Sequence, residues 1–224
     1  MYIRDLVLHT RNLEKQYQLY VNELAFPLIE KWQAAFCIRA GITHLTFQKS
    51  EVPNEPYHFA FGLKKERVSV ALDFLEQRVE VIHTNENPGK IVDFPSWNAK
   101  SVYFYDADGN VVECISRNCD LTAQGEVFSI SDVKSICEIG LPVDNVKETY
   151  LALKKAFNLG KCPGELNNFC PAGDEHGMVI LVAIREKLWF PTSIPVQSVD
   201  FKAFIQNECH IGEIVSQNGK LAVF

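Results

Sequence analysis

Ser101-Val-Tyr-Phe-Tyr-Asp-Ala-Asp-Gly-Asn-Val-Val-Glu-Cys-Ile-Ser-Arg117 decides how the rest of the chain is read. Two runs rich in Val, Ile, Tyr and Phe flank Asp-Ala-Asp-Gly-Asn, whose small polar residues and single Gly suit a tight reversal, so the stretch is a β-hairpin. Its second arm carries an anomaly. Alternation places Val111, Glu113 and Ile115 on one face, so a carboxylate sits between two apolar neighbours. A buried, unpaired anion costs several kcal/mol or goes neutral, and Glu113 therefore needs a metal ion, a cationic side chain or a polar ligand.

Working outward, the hairpin closes a pattern that begins twice before it ends. Ile3–Thr10 reads as a strand with Asp5, Val7 and His9 on one face. Asn12 then caps a helix with Leu13, Tyr17, Tyr20 and Leu24 at helical spacing, and strands follow at Leu28–Lys31, Phe36–Arg39 and Thr43–Gln48. The second round runs from a strand at Tyr57–Leu63 through a helix at Lys65–Gln77 and a strand at Val79–His83, past a loop at Lys90–Asn98, to the hairpin. A third starts with a strand at Ile136–Val143 and a helix from Asn145 to Phe157, followed by strands at Asn168–Ala172 and Met178–Ile184. The remainder holds strand-like pieces at Val199–Ile205 and Leu221–Phe224, too little for a full fourth unit.

The repeat is visible residue by residue. Asp5-Leu-Val-Leu-His-Thr-Arg-Asn12-Leu aligns without gaps with Glu138-Ile-Gly-Leu-Pro-Val-Asp-Asn145-Val, and His58-Phe-Ala-Phe-Gly-Leu aligns with both. At the same first-strand position the units carry Asp5, His58 and Glu138, all metal-ligand types where strand propensity favours Val. The fold class predicted is α+β, built of repeated βαβββ units. The expected division is 1–120, paired units; 121–132, a linker; and 133–224, a third unit with an incomplete fourth.

Composition bounds the function. The 224 residues are 47% hydrophobic and 11% aromatic, ample for a packed core, and the net charge of −6 offers nothing basic enough to track a phosphate backbone. Nucleic acid and membrane are excluded as expected partners. No apolar run nears ~20 residues and the N-terminus lacks a signal-peptide pattern, so the chain reads as cytoplasmic. Seven scattered cysteines without a Cys-x-x-Cys pair read as reduced, mostly buried thiols. Asp106, Asp108 and Asn110 lack the downstream Glu of a calcium loop, and turn chemistry accounts for them.

Tyr57-His-Phe-Ala-Phe-Gly62 and Val102-Tyr-Phe-Tyr-Asp-Ala-Asp-Gly-Asn-Val-Val-Glu113, at this separation and in a βαβββ rhythm, resemble the vicinal oxygen chelate superfamily of glyoxalases, bleomycin-resistance proteins and extradiol dioxygenases. The resemblance covers 3–117 well and 136–184 more weakly. It implies repeated βαβββ units whose curved mixed sheets surround a cup within 1–120, holding a divalent metal ion (Fe, Mn, Zn or Ni) with ligands from the first strand of each unit and the last strand of the second: Asp5, His58 and Glu113. Asp5 departs from the usual His or Gln. Thr46 replaces the fourth ligand of a four-ligand glyoxalase site. In the third unit Leu181 stands where Glu113 would, so a single site in the N-terminal half is expected, with the C-terminal half bracing or lining it.

His9, His44 and Tyr103 are the expected catalytic residues, placed to hydrogen-bond an oxygenated small-molecule substrate, with imidazole suited to acid/base work. Two functions compete: a metal-dependent glyoxalase-like lyase or isomerase or dioxygenase, and a metal-free protein that sequesters a ligand as bleomycin-resistance proteins do. Related two-unit chains complete their cups by dimerising, and exposed strand edges here are open to a homodimer.

Overall fold

The computed structural model describes residues 1–52, 54–83, 89–117, 125–162, 164–217 and 219–224. The opening of the expected linker, 121–124, lies outside them, as does Cys119. The six described cysteines are free, and Cys37, Cys114, Cys137 and Cys170 are buried.

Two seven-stranded mixed sheets carry the fold. The first runs in the order β14 (Lys220–Val223), β13 (His210–Gln217), β12 (Phe201–Asn207), β1 (Tyr2–Thr10), β4 (Thr43–Lys49), β3 (Ala35–Ala40), β2 (Leu28–Trp32). The second runs β10 (Phe169–Asp174), β11 (Gly177–Ala183), β9 (Val133–Val143), β5 (His58–Leu63), β8 (Val111–Arg117), β7 (Ala99–Tyr105), β6 (Val92–Phe94). Helices α1 (Leu13–Tyr17), α2 (Val68–Leu75) and α3 (Val146–Phe157) connect the first strand of three units to the strands that follow. The architecture is the α+β fold that the repeat predicts, curled into the cup that the resemblance implies.

The pairing of units differs from the expected one. Residues 1–120 do not share a cup: the first unit's β1 pairs with C-terminal β12, and the second unit's β5 pairs antiparallel with the third unit's β9. The two sheets differ in burial. Every residue of β5 is buried, and β9 is buried at all but one of its positions, whereas β1, the central strand of the first sheet, alternates between buried and half-exposed. β12 to β14 form an antiparallel meander that takes the place of a fourth unit; His210–Gln217 escaped the sequence reading because Gly212 and its polar ends dilute the alternation.

Local departures are small. Asn145 caps α3 as expected, its Oδ1 accepting from Glu148 N at 3.0 Å. Asn12 does not cap α1; its amide donates instead to Asp108 Oδ1 at 2.7 Å, and the helix widens into a π turn over Gln18–Glu23. The strand expected at Val79–His83 is reduced to one bridge, Val81 to Phe104, and the expected loop at Lys90–Asn98 contains β6 and a 3-10 turn at Pro95–Trp97. The core lies between sheets and helices, with Leu6, Leu8, Phe47, Phe59, Phe61 and Leu141 all essentially inaccessible.

Candidate metal centre

Register alone brings the site together. Tyr103 on β7 is opposite Glu113 on β8, Glu113 is beside Ala60 on β5, and Ala60 is beside Glu138 on β9. Residues level across a sheet share a face, so the four form one row on the inner surface of the second sheet, with His58 two residues before Ala60 on that face. A bulge opposite Ala60/Phe61 inserts Cys137 into β9. Bulges bend a strand and re-aim the side chains beside them.

One ligand atom each from His58, Glu113 and Glu138 lies within 4.8 Å of the other two. All three residues are buried, at 8%, 3% and 5% exposure. His58 Nδ1 is 3.0 Å from the carbonyl of Val111, which can only accept, so Nδ1 carries the proton and Nε2 presents its lone pair. That Nε2 is 3.6 Å from Glu113 Oε2. Glu113 is held by its other oxygen, Ser101 Oγ donating to Oε1 at 2.5 Å, and Arg117 Nη2 donates to Glu138 Oε1. One nitrogen and two oxygens at this spacing fit a divalent ion such as Zn(II), Mn(II), Fe(II) or Ni(II).

The electrostatics follow from burial. Loss of water pushes the Glu113 carboxyl up to about 8, aided by the neighbouring Glu138 carboxylate and opposed by hydrogen bonds from Ser101 and Tyr103. Burial lowers His58, partly offset by Glu138 and the Val111 carbonyl. Tyr103 is raised well above its ordinary range by burial and by Glu113, so its hydroxyl stays protonated.

The three groups form the polar floor of a cavity of about 350 Å³ whose walls include Phe94, Trp97, Ile180 and Phe190. One wall is a short hairpin, tied by Trp189 N to Ile194 O at 2.8 Å and Val196 N to Lys187 O at 3.0 Å. It lays Trp189 against His58, ring centroids 5.4 Å apart. Gly140 makes the slot for that indole, because a Cβ there would sit 2.5 Å from Trp189 Cη2. Gly140→Ala is therefore expected to displace Trp189 and destabilise the protein by roughly 1–3 kcal/mol, read as a lowered Tm with a red-shifted tryptophan emission. An unchanged spectrum and Tm would show that the slot is not tight.

The sequence-predicted residues divide between the sheets. His58, Glu113 and Tyr103 meet in the cavity. Asp5 and His44 do not join them; they sit on the first sheet, half-exposed, with His44 Nδ1 3.2 Å from Asp5 Oδ1. His9 lines a separate polar cleft with Asp200 and Lys202, its pKa lowered by burial. The place expected for Asp5 is taken by Glu138, which the third unit supplies because β9, not β1, is the neighbour of β5. Its signal was an acid inside the apolar run Ile136–Leu141. Arg117 was legible as a cation on the face of Glu113 by alternation, and Trp189 had no periodic signal.

No family model matches the sequence, and no curated protein matches it. Solved structures do. A protein from Bacillus subtilis subsp. subtilis strain 168, named as a proposed dioxygenase, superposes with a TM-score of 0.60 at 15% identity, covering 81% of this chain and 63% of that one. The V278E mutant of glyoxalase I from Zea mays superposes with a TM-score of 0.53 at 11% identity, covering 96% and 87%. At these identities the likeness is one of fold: βαβββ units around a cup, shared with a glyoxalase I and with the protein named as a proposed dioxygenase. Among the described residues no helix is long and apolar enough to cross a membrane.

Proposed function

We propose that this protein is a metal-dependent enzyme acting on a small oxygenated molecule, with a divalent cation held by His58, Glu113 and Glu138. The convergence of three ligand residues within 4.8 Å, in a cavity whose other walls are mostly apolar apart from Tyr103 and Lys187, carries the reading. A cation there would supply Lewis-acid stabilisation to substrate oxygens. The chain's own residues do the rest. Aromatic walls exclude water and orient a ligand with its oxygens toward the floor, and a low-dielectric surround strengthens each polar contact there. Tyr103, kept protonated, directs its one O–H to Glu113 and leaves its hydroxyl oxygen as an acceptor toward a ligand. Glyoxalase-like and dioxygenase-like chemistry both begin from such chelation, and substrate screening decides between them.

Elemental analysis of protein purified without chelator tests the proposal. A stoichiometric divalent metal is expected in the wild type, falling at least tenfold in His58→Ala. One observation favours a second reading, a metal-free ligand-sequestering protein. Arg117 and Ser101 already engage an oxygen of each carboxylate, so with Glu113 protonated the floor is neutral on its own. A wild type without metal, whose ligand binding survives His58→Ala, would establish that reading instead.

A further inference from the structure

On the cup face of β8 the residues Glu113, Ile115 and Arg117 alternate, so a guanidinium enters the same floor as the carboxylates. Arg117 is 5% exposed, and arginines are almost never that buried without partners. Its Nη2 donates to Glu138 Oε1 and its Nη1 lies 3.6 Å from Cys137 Sγ, both on β9. To reach β9 the side chain crosses β5, a span of two strand spacings or about 10 Å. The β5 residues on that face are Ala60 and Gly62, and bulk at Gly62 would meet Cys137 Cβ and Sγ at 3.2 Å. The small residues of β5 and the bulge of β9 thus share one result: they let a cation from one side of the site grip a carboxylate on the other.

We propose that Arg117 is a positioning residue that fixes Glu138 as a one-oxygen donor and cancels its charge, so that the His58–Glu113–Glu138 cluster meets a divalent cation as a site of one net negative charge. The inference rests on the metal reading above. Its logic is electrostatic. Two ionised carboxylates and a neutral imidazole would neutralise a divalent ion completely and blunt it as a Lewis acid. With the guanidinium counted, the loaded cluster keeps one net positive charge to offer a substrate oxyanion, and Lys187 on the cavity wall adds to it. The same positive charge opposes the cation's entry, so this chain gives up metal affinity for electrophilicity. A lysine would retain the charge without the planar fork that fixes Oε1.

Co(II) is the probe that reads both parts. Titration of full-length wild type, Arg117→Met and Arg117→Lys gives the affinity, and the visible d–d bands give the coordination number. Arg117→Met is expected to bind Co(II) at least tenfold more tightly, with weaker bands as Glu138 turns both oxygens to the ion. Arg117→Lys should keep the wild-type affinity within about threefold. A folded Arg117→Met whose affinity is unchanged or lower overturns the proposal. Should that variant not fold, isotope-edited infrared spectra of Co(II)-loaded wild type against Glu138→Gln decide. A wide separation of the Glu138 carboxylate stretches, as for one-oxygen ligation, supports the proposal, and a narrow one overturns it. If Arg117→Met binds Co(II) and the wild type does not, the arginine's hold on Glu138 stands and the metal-dependent function falls; if neither binds, both fall.

Discussion

Asp106→Ala is expected to destabilise the protein by about 4 kcal/mol, a fall in Tm of about 10 °C for a chain of this size. Asp106 is 7% exposed and accepts through both oxygens. Oδ1 receives the backbone N–H of Asp108 at 2.9 Å and of Asn110 at 3.0 Å. Oδ2 receives Gln16 Nε2 at 2.9 Å, Asn110 Nδ2 at 2.8 Å and the Tyr20 hydroxyl at 3.2 Å. Burial raises its pKa while the bonds from Asn110, Gln16 and Asp108 oppose the rise, so the carboxylate is the centre of its network. Each buried donor left without a partner costs roughly 1–3 kcal/mol, and the sum is not additive. Two of the donors, Gln16 and Tyr20, come from the first unit, so the turn of the second unit's hairpin is clasped by the helix of another. Asp108→Ala is the control, since that side chain is partly exposed and the change should cost under about 1 kcal/mol. Equal melting shifts in the two variants would remove the clasp from the account of stability.

Glu113→Gln is expected to act in opposite senses on stability and on metal binding. In metal-free protein burial holds the Glu113 carboxyl protonated up to about 8, against an ordinary 4.5, so between those values the folded state keeps a proton that the unfolded state has lost. The folded state then binds more protons, and stability falls as pH rises through that window. Glutamine is neutral throughout and keeps an oxygen for Ser101, so the variant's stability should be flat there and exceed that of the wild type at pH 8.5. A divalent cation demands the ionised form, so wild-type affinity should climb between pH 5 and 8 by up to about tenfold per unit. The variant should lose about a hundredfold or more in affinity, a larger loss than outlying partners of a ligand cause. Denaturant midpoints and Co(II) titrations across pH measure both. A metal-free wild type that gains stability from pH 5 to 8 would falsify the assignment of that proton to Glu113.

The parts of the site that were legible in the sequence are those fixed by local chemistry. The reversal Asp106–Asn110 announced the hairpin through its small polar residues, and alternation then marked Glu113 as an acid on an apolar face. His58 followed from its place at the head of a repeated strand. What local pattern does not carry is which strand lies beside which. Asp5, His58 and Glu138 occupy one position in three units, and only strand pairing separates the two that meet from the one that does not. The pairing is a property of the assembled sheet, in which β5 and β9 come to be buried on both faces. The demand that Glu113 find a cation or a metal nearby was sound as physics, and Arg117 four residues on answers part of it through Glu138. Trp189 belongs to a hairpin with no hydrophobic period, and its role depends on the absence of a side chain at Gly140.

The joining of Tyr2 to Gln206 across β1 and β12 has a consequence for how this polypeptide comes into being. β12 lies so far along the sequence from β1 that this edge of β1 is covered only by a very long-range closure, whereas β5 to β11, contiguous in sequence, make the second sheet among themselves. Pairing across so long a sequence separation is slower than local pairing, so the second sheet is expected to form ahead of the β1–β12 seam.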